Sequence, residues 1–209
     1  MRHGPILVVE DVPNVLELLE VTLRFKGYEV VSAKNGLEGL EMVEKANPSM
    51  IITDILMPRM DGYAFIQKLR TSDPALRRIP VIFLSATYVT PEDKNFAMSL
   101  GATRFIEKPI DTEDFLLTIA EIMTQDPATL PEPLNSREFY QGYRERLEHK
   151  LRHKNTQISR IERLIPTLPP EQRPAFQSML QEAYNNRENI HAELQEVHIQ
   201  LDELKLTGK

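Results

Sequence analysis

Cysteine is absent from the 209-residue chain, so neither a disulfide nor a thiolate metal site can hold the fold or do chemistry. Long apolar runs are absent too, since no stretch approaches the roughly 20 apolar residues that a membrane span needs. The opening segment Met1–Pro5 leads straight into a short apolar run, without an extended hydrophobic region or a small-residue cleavage site. That argues against a signal peptide. Together these absences predict a soluble, cytoplasmic protein. An excess of positive charge is also missing, and the net charge of -6 argues mildly against a nucleic-acid binder. What is present is 41% hydrophobic residues, enough for a packed core, in a chain long enough for one small domain and an appendage.

Short apolar runs alternate with helical patterns over residues 1–124. The strands expected are Ile6–Glu10, Tyr28–Ala33, Met50–Asp54, Val81–Ser85 and Arg104–Glu107. Between them apolar residues recur at helical spacing, with Val15, Leu18, Leu19 and Leu23 on one stripe and Phe115, Ile119 and Ile122 on another. Pro13 suits a first helical turn, and Gly27 reads as a helix stop. Runs such as Ile-Leu-Val-Val and Val-Ile-Phe-Leu do not alternate, as expected of strands buried on both faces. Consecutive βα units of this kind predict an α/β domain, a doubly wound five-stranded parallel sheet.

Composition changes at 125–135. Pro127, Pro131 and Pro133 make a stiff connector, and the domain boundary belongs there. Residues 136–209 carry no strand pattern. A first helix is expected over Ser136–Ile165, with Phe139, Tyr143, Leu147, Leu151, Ile158, Ile161 and Ile165 on one face. Pro166, Pro169 and Pro170 force a turn, and a second helix runs from Pro170 or Pro174 to Leu206. Its apolar positions, Phe176, Leu180, Ala183, Ile190, Leu194, Val197, Leu201 and Leu204, form a heptad seam once Arg187 is included. The expectation is an all-α coiled-coil hairpin of two helices, each roughly 45–55 Å long.

Ligands of doubly wound sheets bind beyond the carboxyl ends of the strands. There the expected strands place Glu10 and Asp11, Asp54, Ser85, and Lys108 after Glu107. Three carboxylates at one edge repel one another, and a hard divalent cation such as Mg²⁺ relieves that repulsion. An aspartate held beside the cation can attack a phosphoryl group, with the lysine and hydroxyl serving the phosphoryl oxygens. Any one of these residues alone is more often a helix cap or a solvated charge. The set of five on the proper strand ends reverses that reading.

The motifs carrying these residues are Leu-Val-Val-Glu-Asp at 7–11, Ile-Ile-Thr-Asp-Ile-Leu-Met-Pro at 51–58, Met-Asp-Gly at 60–62, Leu-Ser-Ala at 84–86 and Glu-Lys-Pro at 107–109. Through them, residues 5–124 resemble the CheY-like receiver domain of two-component response regulators. The resemblance implies a phosphoacceptor at Asp54, served by a histidine kinase. It also implies Mg²⁺ held by Glu10, Asp11, Asp54 and the backbone carbonyl of Leu56, with Ser85 and Lys108 on the phosphoryl group. Phe105 matches the family's aromatic switch position but lacks a hydroxyl, so packing alone would drive its rotation. The bulky Leu56 is expected to shield the acyl phosphate from water. No enzymatic activity beyond self-phosphorylation and autodephosphorylation is expected.

For the appendage, charge is informative. Residues 137–165 hold eight basic and four acidic residues, whereas 171–206 hold three basic and seven acidic. Opposite charge favours antiparallel pairing, and two hairpins could form a four-helix homodimer or dock a protein effector. Arg187 either fixes register or snorkels from the hairpin edge. Two alternatives to a dimerisation or docking module are a DNA-binding regulator and a phosphotransfer hairpin. The basic run Arg144–Lys154 is interrupted by Glu145 and Glu148 and lacks helix-turn-helix spacing. His191-Ala-Glu-Leu bears only a three-letter likeness to a phosphoacceptor helix. An effector enzyme lacks any supporting motif.

Overall fold

The computed structural model describes residues 4–73, 75–85, 90–124 and 134–207. The connector segment 125–133, Ala86 of the Leu-Ser-Ala motif and the chain ends lie outside the described residues. By its internal packing the chain divides into two units, Met1–Leu134 and Asn135–Lys209.

The first unit is built on five parallel strands, β1 (Ile6–Val9), β2 (Val30–Ala33), β3 (Met50–Asp54), β4 (Val81–Ser85) and β5 (Arg104–Glu107), in the order β2-β1-β3-β4-β5. The non-alternating runs are buried along their whole length in β1, β3 and β4, as their sequences predict. β2 and β5 are the edges and are partly exposed. Strand β2 begins two residues later than expected. Gly27 adopts φ +85, and the Tyr28 amide turns back to donate to the Leu23 carbonyl, so the chain is still leaving the preceding helix.

Among the described residues five α-helices flank the sheet: α1 (Pro13–Phe25), α2 (Gly36–Ala46), α3 (Gly62–Thr71), α4 (Pro91–Ser99) and α5 (Thr112–Thr124). Leu19 and Leu23 of α1 and Phe115, Ile119 and Ile122 of α5 pack with Ile6, Val8, Met50, Ile52, Ile82 and Leu84 in one core cluster. Leu18, placed by spacing on the same stripe, is instead 63% exposed. Leu19 and Val15 lie about one and two helical turns before Leu23 and stay near its face, whereas Leu18, five residues before it, points well away. Phe83 lies next along β4 from Ile82 and Leu84 and meets Tyr63 of α3, ring centroids 5.6 Å apart, on the opposite face of the sheet. Helix starts are fixed by side chains: Asn35 and Asp61 accept from the backbone of α2 and α3, and Thr90 with Asp93 forms a capping box on α4.

The second unit is a helical hairpin of α6 (Ser136–Leu164) and α7 (Arg173–Thr207), joined through a short 3₁₀ turn at Ile165–Thr167. Asn135 and Glu138 form a capping box at the start of α6. Tyr143 donates to Glu193, and Tyr184 donates to Glu162, which sets the helices antiparallel. Phe139, Tyr143, Leu147, Ile158 and Ile161 are buried with Ala183, Ile190, Leu194, Val197 and Leu201. The predicted seam is therefore the buried one. Its centre carries two half-buried cations, Lys154 on α6 and Arg187 on α7. Burial and the neighbouring Lys150 lower the Lys154 ammonium below its ordinary value of 10.5, with Glu182 opposing. The Arg187 guanidinium lies 5.0 Å from the Tyr184 ring centroid.

Candidate functional site

The parallel sheet delivers its polar residues to one edge because β1, β3, β4 and β5 all end there. Asp54 closes β3 and is 6% exposed; Glu10, just past β1, is 1% exposed. Asp11 is half-buried, and one oxygen from each of the three carboxylates lies within 4.8 Å of the others. Ser85 closes β4 and is also buried.

Lys108 follows β5. Its Nζ donates to Asp54 Oδ1 at 2.7 Å and to Glu10 Oε2 at 2.7 Å. Its backbone amide donates to the Ser85 carbonyl at 2.7 Å, which ties the lysine to the end of the neighbouring strand. Burial works against the ammonium, yet the hydrogen bonds and charges of Asp54 and Glu10 outweigh it and raise Lys108 above its ordinary value of 10.5. Asp54 Oδ2 accepts from the Leu56 amide at 3.0 Å, while the Leu56 side chain is 50% exposed. Glu10 Oε1 accepts from the Val12 amide at 3.2 Å.

The structure thus gathers Glu10, Asp11, Asp54 and Lys108 around one point, with Ser85 beside them. Phe105 stands apart. It is half-buried within β5, opposite Phe83 in register, three positions before the lysine. Leu56 reaches the cluster through its backbone.

Gly62 belongs to the site although its motif alone gave it no role. A Cβ there would lie 2.3 Å from the Asp54 carbonyl oxygen and 3.1 Å from Ile55 Cα. The Gly62 amide donates to the Ile55 carbonyl, so the start of α3 is pressed against the strand end that presents Asp54. The signal in the sequence was Asp61-Gly62, a capping residue followed by the residue without a side chain.

The donor set suits a hard divalent cation. All three groups are carboxylates, the oxygen ligands such ions prefer. Burial and the charge of Asp54 raise the Glu10 and Asp11 carboxyls above their ordinary 4.5 and 3.8. Burial is the larger cause for both groups, and the Asp54 charge adds to it while Lys108 opposes it.

The model of the response regulator receiver domain matches residues 6–120. The chain belongs to this family. Its receiver domain is 32% identical to the transcriptional regulatory protein YkoG of Bacillus subtilis over 126 residues, 60% of this chain and 54% of that one. It is 30% identical over 141 residues to the DNA-binding dual master transcriptional regulator RpaA of Synechocystis, covering 60% of this chain and 58% of that protein. Among solved structures, the Vibrio cholerae chemotaxis protein CheY4 aligns with a TM-score of 0.53 at 32% identity, covering 57% of this chain and 98% of that one. The receiver domain of a signal transduction histidine kinase from Syntrophus aciditrophicus aligns with a TM-score of 0.54 at 35% identity, covering 61% and 98%. The chain spans about half the length of the first curated relatives it matches. No described helix is long and apolar enough to cross a membrane.

Proposed function

We propose that the chain is a response regulator that accepts a phosphoryl group on Asp54 from a histidine kinase in a Mg²⁺-dependent, cytoplasmic reaction. The observation that carries this reading is the Glu10–Asp11–Asp54 cluster, in which Lys108 bridges Glu10 and Asp54. An Asp54 oxygen attacks phosphorus, the bond from phosphorus to the donor nitrogen breaks, and the donor imidazole leaves with that electron pair. Hydrolysis later returns phosphate to water and the carboxylate to Asp54. Glu10, Asp11, Asp54 and the Leu56 carbonyl would hold Mg²⁺, which supplies positive charge for the phosphoryl oxygens. Lys108 is placed to move from the Asp54 oxygen to a phosphoryl oxygen, and Ser85 to donate its hydroxyl to another.

Output passes through the helical hairpin, as a homodimerisation or protein-docking module. Ser85 drawn toward the phosphoryl group would free space for Phe105 and shift the α4–β5–α5 face between two packings. The relatives named as transcriptional regulators favour DNA binding as the second reading. Against it stand a long antiparallel pair in place of a compact helix-turn-helix, and the acidic α7. His191, on the exposed surface of α7, remains the residue that a phosphotransfer role would use.

Light-scattering mass with and without Mg²⁺ plus beryllofluoride tests the output, on wild type and Asp54→Ala. The expected result is a mass that changes in wild type alone. A mass indifferent to both would sink the switched homodimer. Salt-dependent binding of a DNA duplex would move the assignment to the second reading.

A further inference from the structure

Arg70 is a buried cation that the phosphoryl chemistry does not use. It lies on the last turn of α3 and is 2% exposed. Among the described residues no carboxylate pairs with it. Nη1 donates to the carbonyls of Arg77 at 2.7 Å and Ile79 at 2.9 Å, and Nη2 donates to the Gly101 carbonyl at 2.9 Å. Among the described residues Nε is buried without a hydrogen-bond partner. Burial pushes the guanidinium down to about 10, so it stays charged at neutral pH. A buried charge held only by backbone carbonyls is expensive to keep, and removing the charge leaves those carbonyls without their donor.

The carbonyls it holds have a definite place in the fold. Arg77 and Ile79 precede β4, the strand that ends at Ser85, and Gly101 precedes β5, the strand that leads to Lys108. Gly101 also ends α4, since the Leu100 and Gly101 amides donate to Phe96 and Met98. Its φ of +82 favours glycine, and Arg70 Nε lies 3.1 Å from where a Cβ would stand, so a side chain there would press on the guanidinium. The clamp therefore sits at the edge of the sheet opposite the site, roughly 15 Å away at about 3.3 Å per strand residue. The other end of α4, capped by Thr90, follows in the chain the strand that ends at Ser85.

We infer that Arg70 is a positioning residue that fixes the Gly101 end of α4 and the roots of β4 and β5, so that phosphorylation swings α4 from its Thr90 end about a stationary pivot. The inference rests on the phosphoacceptor reading of Asp54. One guanidinium holds both strand roots, so Ser85 and Lys108 move relative to a common anchor. A helix held at one end turns movement at the site into a rotation of its exposed face.

Hydrogen exchange read by mass spectrometry on the full chain, with and without Mg²⁺ plus beryllofluoride, tests this. In wild type, the amides of Asp93–Asn95 and those around Asp54 change their exchange, while those of Leu100–Thr103 do not. In Arg70→Met, the Leu100–Thr103 amides exchange at least about tenfold faster, the factor that corresponds to about 1.4 kcal/mol. They also now respond to beryllofluoride, and Arg70→Lys restores part of their indifference. A merely structural role would speed exchange without creating the new response. Wild-type amides at Leu100–Thr103 that respond as strongly as Asp93–Asn95 overturn the pivot alone, even if the variants do not fold. No change at any amide around Asp54 overturns the phosphoacceptor reading, and the pivot with it.

Discussion

Lys108 and Asp54 form a 2.7 Å ion pair at the sheet edge, although they are 54 positions apart in the chain. The same ammonium holds Glu10, so a single cation stands where three carboxylates converge. This arrangement orients the Asp54 carboxylate and sets one cation against three acidic groups, a balance that a hard divalent cation would suit.

The pH dependence follows from the two raised carboxyls. Glu10 binds its proton more tightly in the folded protein than at its unfolded value of 4.5, because burial and Asp54 disfavour its charge. Metal-free protein therefore loses stability as the pH rises from about that value through the raised folded value, and the loss persists above it. Glu10→Gln removes the penalty. In thermal melts without Mg²⁺, the variant melts higher than wild type at pH 8, and its advantage fades toward pH 4.5. Mg²⁺ then raises the wild-type melting temperature more than the variant's. A variant that melts lower than wild type at pH 8 without metal would contradict this charge balance.

Gly62→Ala places a methyl against the Asp54 carbonyl. Backbone must move, because the obstructing atoms are not the far end of a flexible side chain. Urea unfolding should show a loss of about 1–3 kcal/mol, the usual range for forced overpacking. Mg²⁺ affinity should fall alongside it, since the displaced strand end carries Asp54. Unchanged stability and affinity together would show that α3 is not pressed against the site.

Leu56→Asn tests the shielding role of an exposed apolar side chain whose own amide holds Asp54. Hydrolysis of the acyl phosphate should quicken by about tenfold, which requires about 1.4 kcal/mol less barrier. The decay of labelled phosphoprotein measures it, and an unchanged half-life removes the shield.

Two half-buried cations, Lys154 and Arg187, interrupt the apolar seam of the hairpin. Lys154→Leu combined with Arg187→Leu should stabilise the full chain's hairpin transition by on the order of 1 kcal/mol, as apolar replacement of interior charge commonly does. Circular dichroism melts check the stability, and light scattering checks whether a uniformly apolar seam now admits other assemblies. A double variant that melts lower would mean that the two cations make contacts worth more than their desolvation.

The strands and the acid cluster were legible because each rests on local pattern: unbroken apolar runs for β1, β3 and β4, and polar residues at the strand ends. Pairings across the chain were not. Glu10 and Lys108 read as a metal ligand and a phosphoryl contact, and only the closed sheet brings them into one ion pair. Nothing local announces Arg70, because the carbonyls it holds come from two later loops. Lys154 escaped the seam for a related reason. An apolar search passes over a lysine, even where the three-and-four spacing from Leu151 to Ile158 requires a residue at its position. Leu18 failed in the opposite sense, since apolar character alone does not decide which side of a helix faces the sheet.

The central claim concerns Asp54, and site mapping of the acyl phosphate tests it most directly. The full chain is treated with acetyl phosphate and Mg²⁺, reduced with borohydride, digested, and read by mass spectrometry. The account predicts one Mg²⁺-dependent modification, converting Asp54 to homoserine and absent from Asp54→Ala. Modification that persists in Asp54→Ala, or that maps to another carboxylate, would contradict it.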